Sequence, residues 1–173
     1  KYSIWKERLS MAIKKKFPYK AALVACNGGC RANTEEPKCT YGCIACGACV
    51  DVCKFGAISI NANGVAEVDE EKCIACGMCV RKCPQNIIHI HDCANYIVVK
   101  CSNHDKGAEA RKECEVSCIV CGICEKTCTA NAIKVKDNCA VIDEAYCLSC
   151  GMCSVKCPHN AIYDLRGIFT SKN

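Results

Sequence analysis

One cysteine spacing, C-x2-C-x2-C-x3-C, constrains this chain more than anything else in it. It occurs four times, at Cys43/Cys46/Cys49/Cys53, Cys73/Cys76/Cys79/Cys83, Cys118/Cys121/Cys124/Cys128 and Cys147/Cys150/Cys153/Cys157. Three thiolates two residues apart wrap three irons of a four-iron four-sulfur cubane, while the fourth is carried off to the cubane of a partner motif. A chain with this content stores and passes single electrons.

Two other uses of cysteine fit less well. A secreted disulfide scaffold is argued against by the odd count of 23, by a length of 173 residues and by the lack of an apolar signal segment at the start. Pairing inside C-x2-C-x2-C also strands a thiol each time. Zinc takes four ligands from two knuckles and leaves every third cysteine without work.

The conventional core is thin, because only 6% of residues are aromatic and cysteine inflates the 51% apolar content. Clusters must then serve as core, and metal binding and folding become one process. No stretch approaches the roughly 20 consecutive apolar residues of a membrane span. The formal charge of +5 counts cysteines as neutral. Four cubanes, each about −2 with its thiolates, bring it to about −3, so the lysines and arginines act mostly as counterions. With few and scattered aromatic side chains as well, nucleic-acid binding is not expected.

Aligning Cys43 with Cys118 and Cys73 with Cys147 superposes two modules. In the first, Ala57 to Ile60 alternates as a strand, Asn63-Gly64 signals a turn, and Val65 to Val68 returns. In the second, Asp137-Asn138 marks the turn of the equivalent hairpin. Closing strands are expected at Asn86 to Ile90 and Ala161 to Tyr163.

Each module, over 43–90 and 118–164, resembles a bacterial ferredoxin with two clusters. The resemblance implies that the fourth cysteine of each motif ligates the other cluster. Cys43, Cys46, Cys49 and Cys83 would hold one cubane and Cys73, Cys76, Cys79 and Cys53 its neighbour. In the second module the sets would be Cys118, Cys121, Cys124 with Cys157, and Cys147, Cys150, Cys153 with Cys128. Gly47, Gly77, Gly122 and Gly151 follow the second cysteine of each motif, where a missing side chain lets the backbone approach the cluster. Pro84 and Pro158 complete the ferredoxin pattern. Lys54 and Thr129 replace proline in the first motif of each module, a change expected to alter the local turn without costing a ligand.

A narrower resemblance, to the B subunit of Rnf complexes that exchange electrons between ferredoxin and NAD, is carried by ALVACNGGC at 22–30, KCTYGC at 38–43, GVAEVDEEKCIACGMCVRKCP at 64–84, and VKCSNHDKG followed by Cys114 and CIVCGICEKTC. It implies a low-potential relay between ferredoxin and a flavoprotein or NAD-linked partner. The family's N-terminal membrane helix has no counterpart in this sequence, which begins at Lys1 and reads as a fragment. A cytoplasmic chain, peripheral on the membrane through its partners, is expected. The family also tends to use a cysteine at the position of Cys39 and lacks one at Cys46, so in the first cluster Cys39 is an alternative to either Cys43 or Cys46, which leaves a spare thiol. Cys26, Cys30, Cys101 and Cys114 offer a fifth cluster or metal site, while Cys93 and Cys139 read as small buried hydrophobes.

The fold expected is α+β: an N-terminal amphipathic helix and cysteine-containing segment over 1–38, a first module over 39–92, a structured linker over 93–117, and a second module with tail over 118–173. The helix, with Ile4, Trp5, Leu9 and Ile13 against Lys6, Arg8 and Lys14 to Lys16, either caps the first module or docks on a partner. His89, His91, His104 and His159 are isolated in sequence, and no catalytic site is evident. Two alternatives to the Rnf-like relay stand: an electron wire of a soluble complex such as a bifurcating dehydrogenase, hydrogenase or oxoacid oxidoreductase, and a non-redox zinc-binding interaction module.

Overall fold

The structure, a computed structural model, describes residues 19–31 and 39–170. The amphipathic stretch 2–17 lies outside the described residues. Among the described residues, eight short strands pair as four antiparallel two-stranded ribbons. They are β1 Lys20–Val24, β2 Ile58–Ile60, β3 Ala66–Val68, β4 Ile88–Asp92, β5 Ile97–Val99, β6 Ile133–Lys136, β7 Cys139–Ile142 and β8 Ile162–Asp164.

The two modules are built alike. Inner hairpins β2-β3 and β6-β7 form as the alternating pattern predicts. The second closes in two residues, Asp137 and Asn138, at φ 47° and 61°, the doubly left-handed turn that matches strand twist. The first needs a longer loop, in which Asn61 Oδ1 accepts from the Asn63 and Val65 amides at 3.0 and 3.1 Å.

The outer ribbons recruit strands from beyond the motif stretches. β4 pairs with β1, from Lys20↔Asp92 to Val24↔Ile88, and β8 pairs with β5, from Ile97↔Asp164 to Val99↔Ile162. Each closing strand starts later than expected, at Ile88 in place of Asn86 and at Ile162 in place of Ala161. In the first module the cause is Asn86, which sits in a left-handed turn at φ 54° with its amide on the Cys83 carbonyl at 3.2 Å.

Buried aliphatics on these ribbons meet motif cysteines in two small cores. One gathers Val24, Ile58, Val65, Ile87 and Ile88 with Cys49 and Cys79. The other gathers Ile97, Ile133 and Ile162 with Cys118, Cys124 and Cys139. Full burial of each such aliphatic contributes about 1.5–3 kcal/mol, and there are few of them.

Polar bonds join the modules. The Asp92 amide donates to Glu144 Oε2 at 3.1 Å, Asn95 Nδ2 to the Glu144 carbonyl at 3.0 Å, and Ser102 Oγ to the Tyr41 carbonyl at 2.9 Å. The connecting stretch carries a seven-residue helix, Gly107–Glu113.

Candidate iron-sulfur centres

Every motif makes the same local turn. The residue before its second cysteine is left-handed without being glycine: Ala45, Ala75, Val120 and Ser149 have φ of 54°, 57°, 59° and 50°. The glycine after that cysteine is left-handed too. Alternation of this kind turns successive backbone N–H groups toward a common centre, which suits an anion. A short helix follows, carrying the third cysteine: α1 Ala48–Asp51, α2 Met78–Lys82, α4 Ile123–Thr127 and α5 Met152–Lys156, with Gly107–Glu113 as α3.

The glycines are required for conformation as much as for space. A Cβ on Gly47 or Gly122 would meet no protein atom within 4 Å, yet their φ values of 76° and 69° disfavour any side chain. Gly151 is different, since a Cβ there would lie 2.2 Å from Cδ2 of Phe169.

The fourth cysteine leaves the helix in extended conformation at Cys83, Cys128 and Cys157, with ψ of 116°, 103° and 113°. Pro84 and Pro158 enforce this for the residue before them. Thr129 keeps the same geometry without proline. Before Lys54 the turn does change, because α1 ends at Asp51 with Val52 still near-helical.

Four apolar-walled cavities result, and each is lined by three cysteines of one motif with one from its partner. Cys43, Cys46 and Cys49 meet Cys83; Cys73, Cys76 and Cys79 meet Cys53. In the second module Cys118, Cys121 and Cys124 meet Cys157, and Cys147, Cys150 and Cys153 meet Cys128. Backbone amides point at these sulfurs: Ala57 to Cys53 at 3.4 Å, Ala132 to Cys128 at 3.3 Å, Ser149 to Cys147 at 3.4 Å, and Ala22 of β1 to Cys73 at 3.4 Å. Four soft donors, N–H groups aimed at sulfur and hydrophobic walls form a site chemically suited to a [4Fe-4S] cluster.

The second cysteine of every motif, Cys46, Cys76, Cys121 and Cys150, is exposed, whereas its companions are buried or half-buried. Apolar side chains flank these openings, with Ile74 and Leu148 58% and 73% exposed.

Burial pushes the Cys124 thiol up to about 11 and Cys153 up to about 12, and neighbouring cysteines add to both. Cys49 and Cys79 rise for the same reason. Without metal these donors hold their protons, so ligation must expel them. Cys118 is held down to about 6, chiefly by the Cys139 thiol against it and in spite of burial. Cys139 is thus more than a small buried hydrophobe, because its sulfur also donates to the Cys101 carbonyl at 3.3 Å.

Cys46 lines the first cavity. Cys39 is buried elsewhere, 3.7 Å from Asn103 Nδ2. The histidines that look isolated in sequence include one with metal-competent neighbours. Donor atoms of fully buried His91, of Cys93 and of Glu70 all lie within 4.8 Å of one another, brought together by the β4 register and the loop after β3, which no spacing in the sequence announces.

Residues 42–87 match the 4Fe-4S dicluster domain family, 72–133 match a second 4Fe-4S dicluster family, and 140–163 match the 4Fe-4S binding domain family. The chain is a polyferredoxin of 4Fe-4S dicluster modules, with multiple [4Fe-4S] clusters as its cofactors, and it resembles the Rnf B subunits. Its relatives include the B subunit of the Na(+)-translocating ferredoxin:NAD(+) oxidoreductase complex of Acetobacterium woodii, 41% identical over 118 residues, which cover 68% of this chain and 35% of that protein. The B subunit of the proton-translocating ferredoxin:NAD(+) oxidoreductase complex of Clostridium ljungdahlii is 46% identical over 62% of this chain and 38% of its own length. That of the ion-translocating oxidoreductase complex of Methanosarcina acetivorans is 39% identical over 56% and 34%. The chain therefore spans about a third of the length of the curated relatives it matches. Among the described residues no helix is long and apolar enough to cross a membrane.

Proposed function

We propose that this chain is the electron-relaying part of an Rnf B-like subunit, carrying low-potential single electrons between ferredoxin and a flavin- or NAD-linked partner in a multi-subunit oxidoreductase. The observation that carries the reading is the set of four cavities, each with three cysteines from one motif, a fourth from its partner, and one exposed sulfur. The sixteen motif cysteines are assigned as ligands in the sets that line those cavities, with Cys46 in the first. A bound cubane supplies one-electron chemistry at potentials that its ligands and hydrogen bonds tune.

The chain's own residues do the rest. Backbone amides directed at Cys53, Cys73, Cys128 and Cys147 favour the more negative, reduced state. Walls such as Ile58, Ile88, Ile133 and Ile162 exclude water from the buried side of each cavity. Cys46, Cys76, Cys121 and Cys150 leave an edge within reach of a docked partner. The proposed location is the cytoplasmic face of the membrane, held there by other subunits.

Anaerobically prepared protein is expected to contain acid-labile sulfide, to bleach with dithionite and to accept electrons from reduced ferredoxin. Absence of sulfide together with a folded, colourless, zinc-loaded chain would overturn the reading in favour of a zinc module. Co-purification identifies the assembly: membrane subunits support the Rnf-like relay, and an entirely soluble flavin assembly replaces it with the wire of a soluble complex.

A further inference from the structure

The segments that flank the second motif fold back onto each other. Upstream, the chain leaves β3 through a turn that Asp69 fixes: its carboxylate accepts the Glu71 and Lys72 amides at 2.9 and 3.3 Å, and its carbonyl accepts the Cys73 amide at 3.0 Å. Glu70 rides on that turn. Downstream, β4 carries His91, paired with Ala21 of β1, and Cys93 follows just past the end of the strand. The Cys93 amide donates to the Tyr19 carbonyl at 3.1 Å, which continues the pairing with β1 and keeps His91 and Cys93, two residues apart, on one face.

The three side chains meet. One donor atom from each of Glu70, His91 and Cys93 lies within 4.8 Å of the other two, and His91 Nε2 is 3.8 Å from Glu70 Oε1. His91 is 1% exposed and Cys93 5%, while Glu70 keeps 35% of its side chain in solvent. Neither ring nitrogen of His91 has a hydrogen-bond partner among the described residues, and the 3.8 Å to Glu70 is too long to be one. Leaving a polar group buried in that state costs about 1–3 kcal/mol. A metal ion that takes a nitrogen lone pair removes part of this cost.

We propose that Glu70, His91 and Cys93 form a mononuclear zinc site, separate from the sixteen motif cysteines. An ion held there joins the segment entering the second motif to the segment leaving it. Cys93 is then a ligand and not a filler of the core.

The donor set selects the ion. Magnesium and calcium take oxygen ligands, whereas thiolate, imidazole and carboxylate together suit Zn2+. Charge balances as well. The Glu70 carboxylate and a Cys93 thiolate cancel the two positive charges of the ion, and a neutral imidazole adds none, so no net charge is buried.

The distances are close to those of a bound ion. Tetrahedral zinc, with bonds of about 2.0–2.3 Å, holds its ligands roughly 3.3–3.8 Å apart. The His91–Glu70 pair already stands at the upper end of that range. The remaining approaches, all within 4.8 Å, close by small side-chain rotations.

Access and a fourth ligand come from the same side. Glu70 also lines a cavity of about 220 Å³ shared with Glu67, Tyr96, Lys100 and Arg166, which draws its walls from both modules. That space is polar and large enough for water, which completes the tetrahedron and gives the ion its way in.

The test is zinc per chain in the complete protein after anaerobic reconstitution, exposure to zinc chloride and gel filtration. Iron and sulfide are counted alongside, and the zinc environment is read by X-ray absorption at the zinc edge, which cluster iron does not obscure. About one zinc is expected, bound by one sulfur at about 2.3 Å and by two or three nitrogen or oxygen atoms at about 2.0–2.2 Å. Cys93→Ser should remove the sulfur from that environment, and His91→Gln should bring zinc to about zero, both with iron unchanged. Glu70 is partly exposed, so Glu70→Gln serves if either buried replacement fails to fold, and it should weaken zinc binding about tenfold or more. Wild-type protein that retains no zinc overturns the site. Zinc surrounded by four sulfurs means occupation of the cysteine motifs and overturns it too, as does a zinc content that Glu70→Gln and Cys93→Ser both leave unchanged.

Discussion

Gly122 and Gly151 occupy the same place in their motifs with nearly the same φ, 69° and 72°, yet a methyl group on each meets different surroundings. At position 122 it touches no protein atom, so Gly122→Ala costs only the left-handed strain, about 1–2 kcal/mol. At position 151 it runs into Phe169, lying 2.2, 2.5 and 2.9 Å from Cδ2, Cγ and Cβ. Overpacking of this kind adds about 1–3 kcal/mol, and Phe169 Cβ cannot swing clear by a ring rotation alone. Anaerobic loss of the visible charge-transfer absorbance in guanidinium gives a rate for each variant. Gly122→Ala should bleach up to about 5–30 times faster than the parent, and Gly151→Ala faster again. Adding Phe169→Gly to Gly151→Ala, which removes Cβ as well as the ring, should bring its loss relative to the Phe169→Gly parent back to that of Gly122→Ala. Equal rates for the two single variants would refute the Phe169 contact, and an unchanged rate in Gly122→Ala would refute the conformational argument for glycine.

Three further outcomes are expected. Cys46→Ser should remove or convert the first cluster, lowering iron by about one to four per chain, because its sulfur lines that cavity with Cys43, Cys49 and Cys83. Stripping iron with a chelator should collapse the far-ultraviolet dichroism, since each module has only a handful of buried aliphatics; a metal-free chain that kept its spectrum would contradict this. In any residual metal-free fold, Cys124 and Cys153 titrate higher than in the unfolded chain, near 11 and 12. Their contribution is complete below about pH 9 and is lost as pH climbs through those values, so dichroism should fade over that alkaline range.

How much could be read in advance varied with the kind of signal. The hairpin turn at Asp137-Asn138 was legible because few residues tolerate two successive positive φ values, whereas the left-handed turn at Ala45, Ala75, Val120 and Ser149 was not, since no residue type there announces it. The pairing of β1 with β4 and of β5 with β8 was not, since a three- to five-residue apolar run gives no address for its partner. Asn86 illustrates a smaller difference: the closing strand was expected to begin with it, while its side chain eases a left-handed turn there. Spacing makes Cys46 a candidate ligand and the family resemblance makes Cys39 one, and only the third dimension puts Cys46 in the first cavity and Cys39 outside it, against Asn103. The meeting of Glu70, His91 and Cys93 depends on strand register, which sequence periodicity does not specify.

Cys46, Cys76, Cys121 and Cys150 stand at the rims of their cavities, and the hydrophobic collars around them invite a docking surface. The same gaps admit dioxygen, and a thiolate edge bared to it is oxidised ahead of its sheltered companions. Association is then also armour: a neighbour seated on an opening closes the route by which air would destroy the centre beneath.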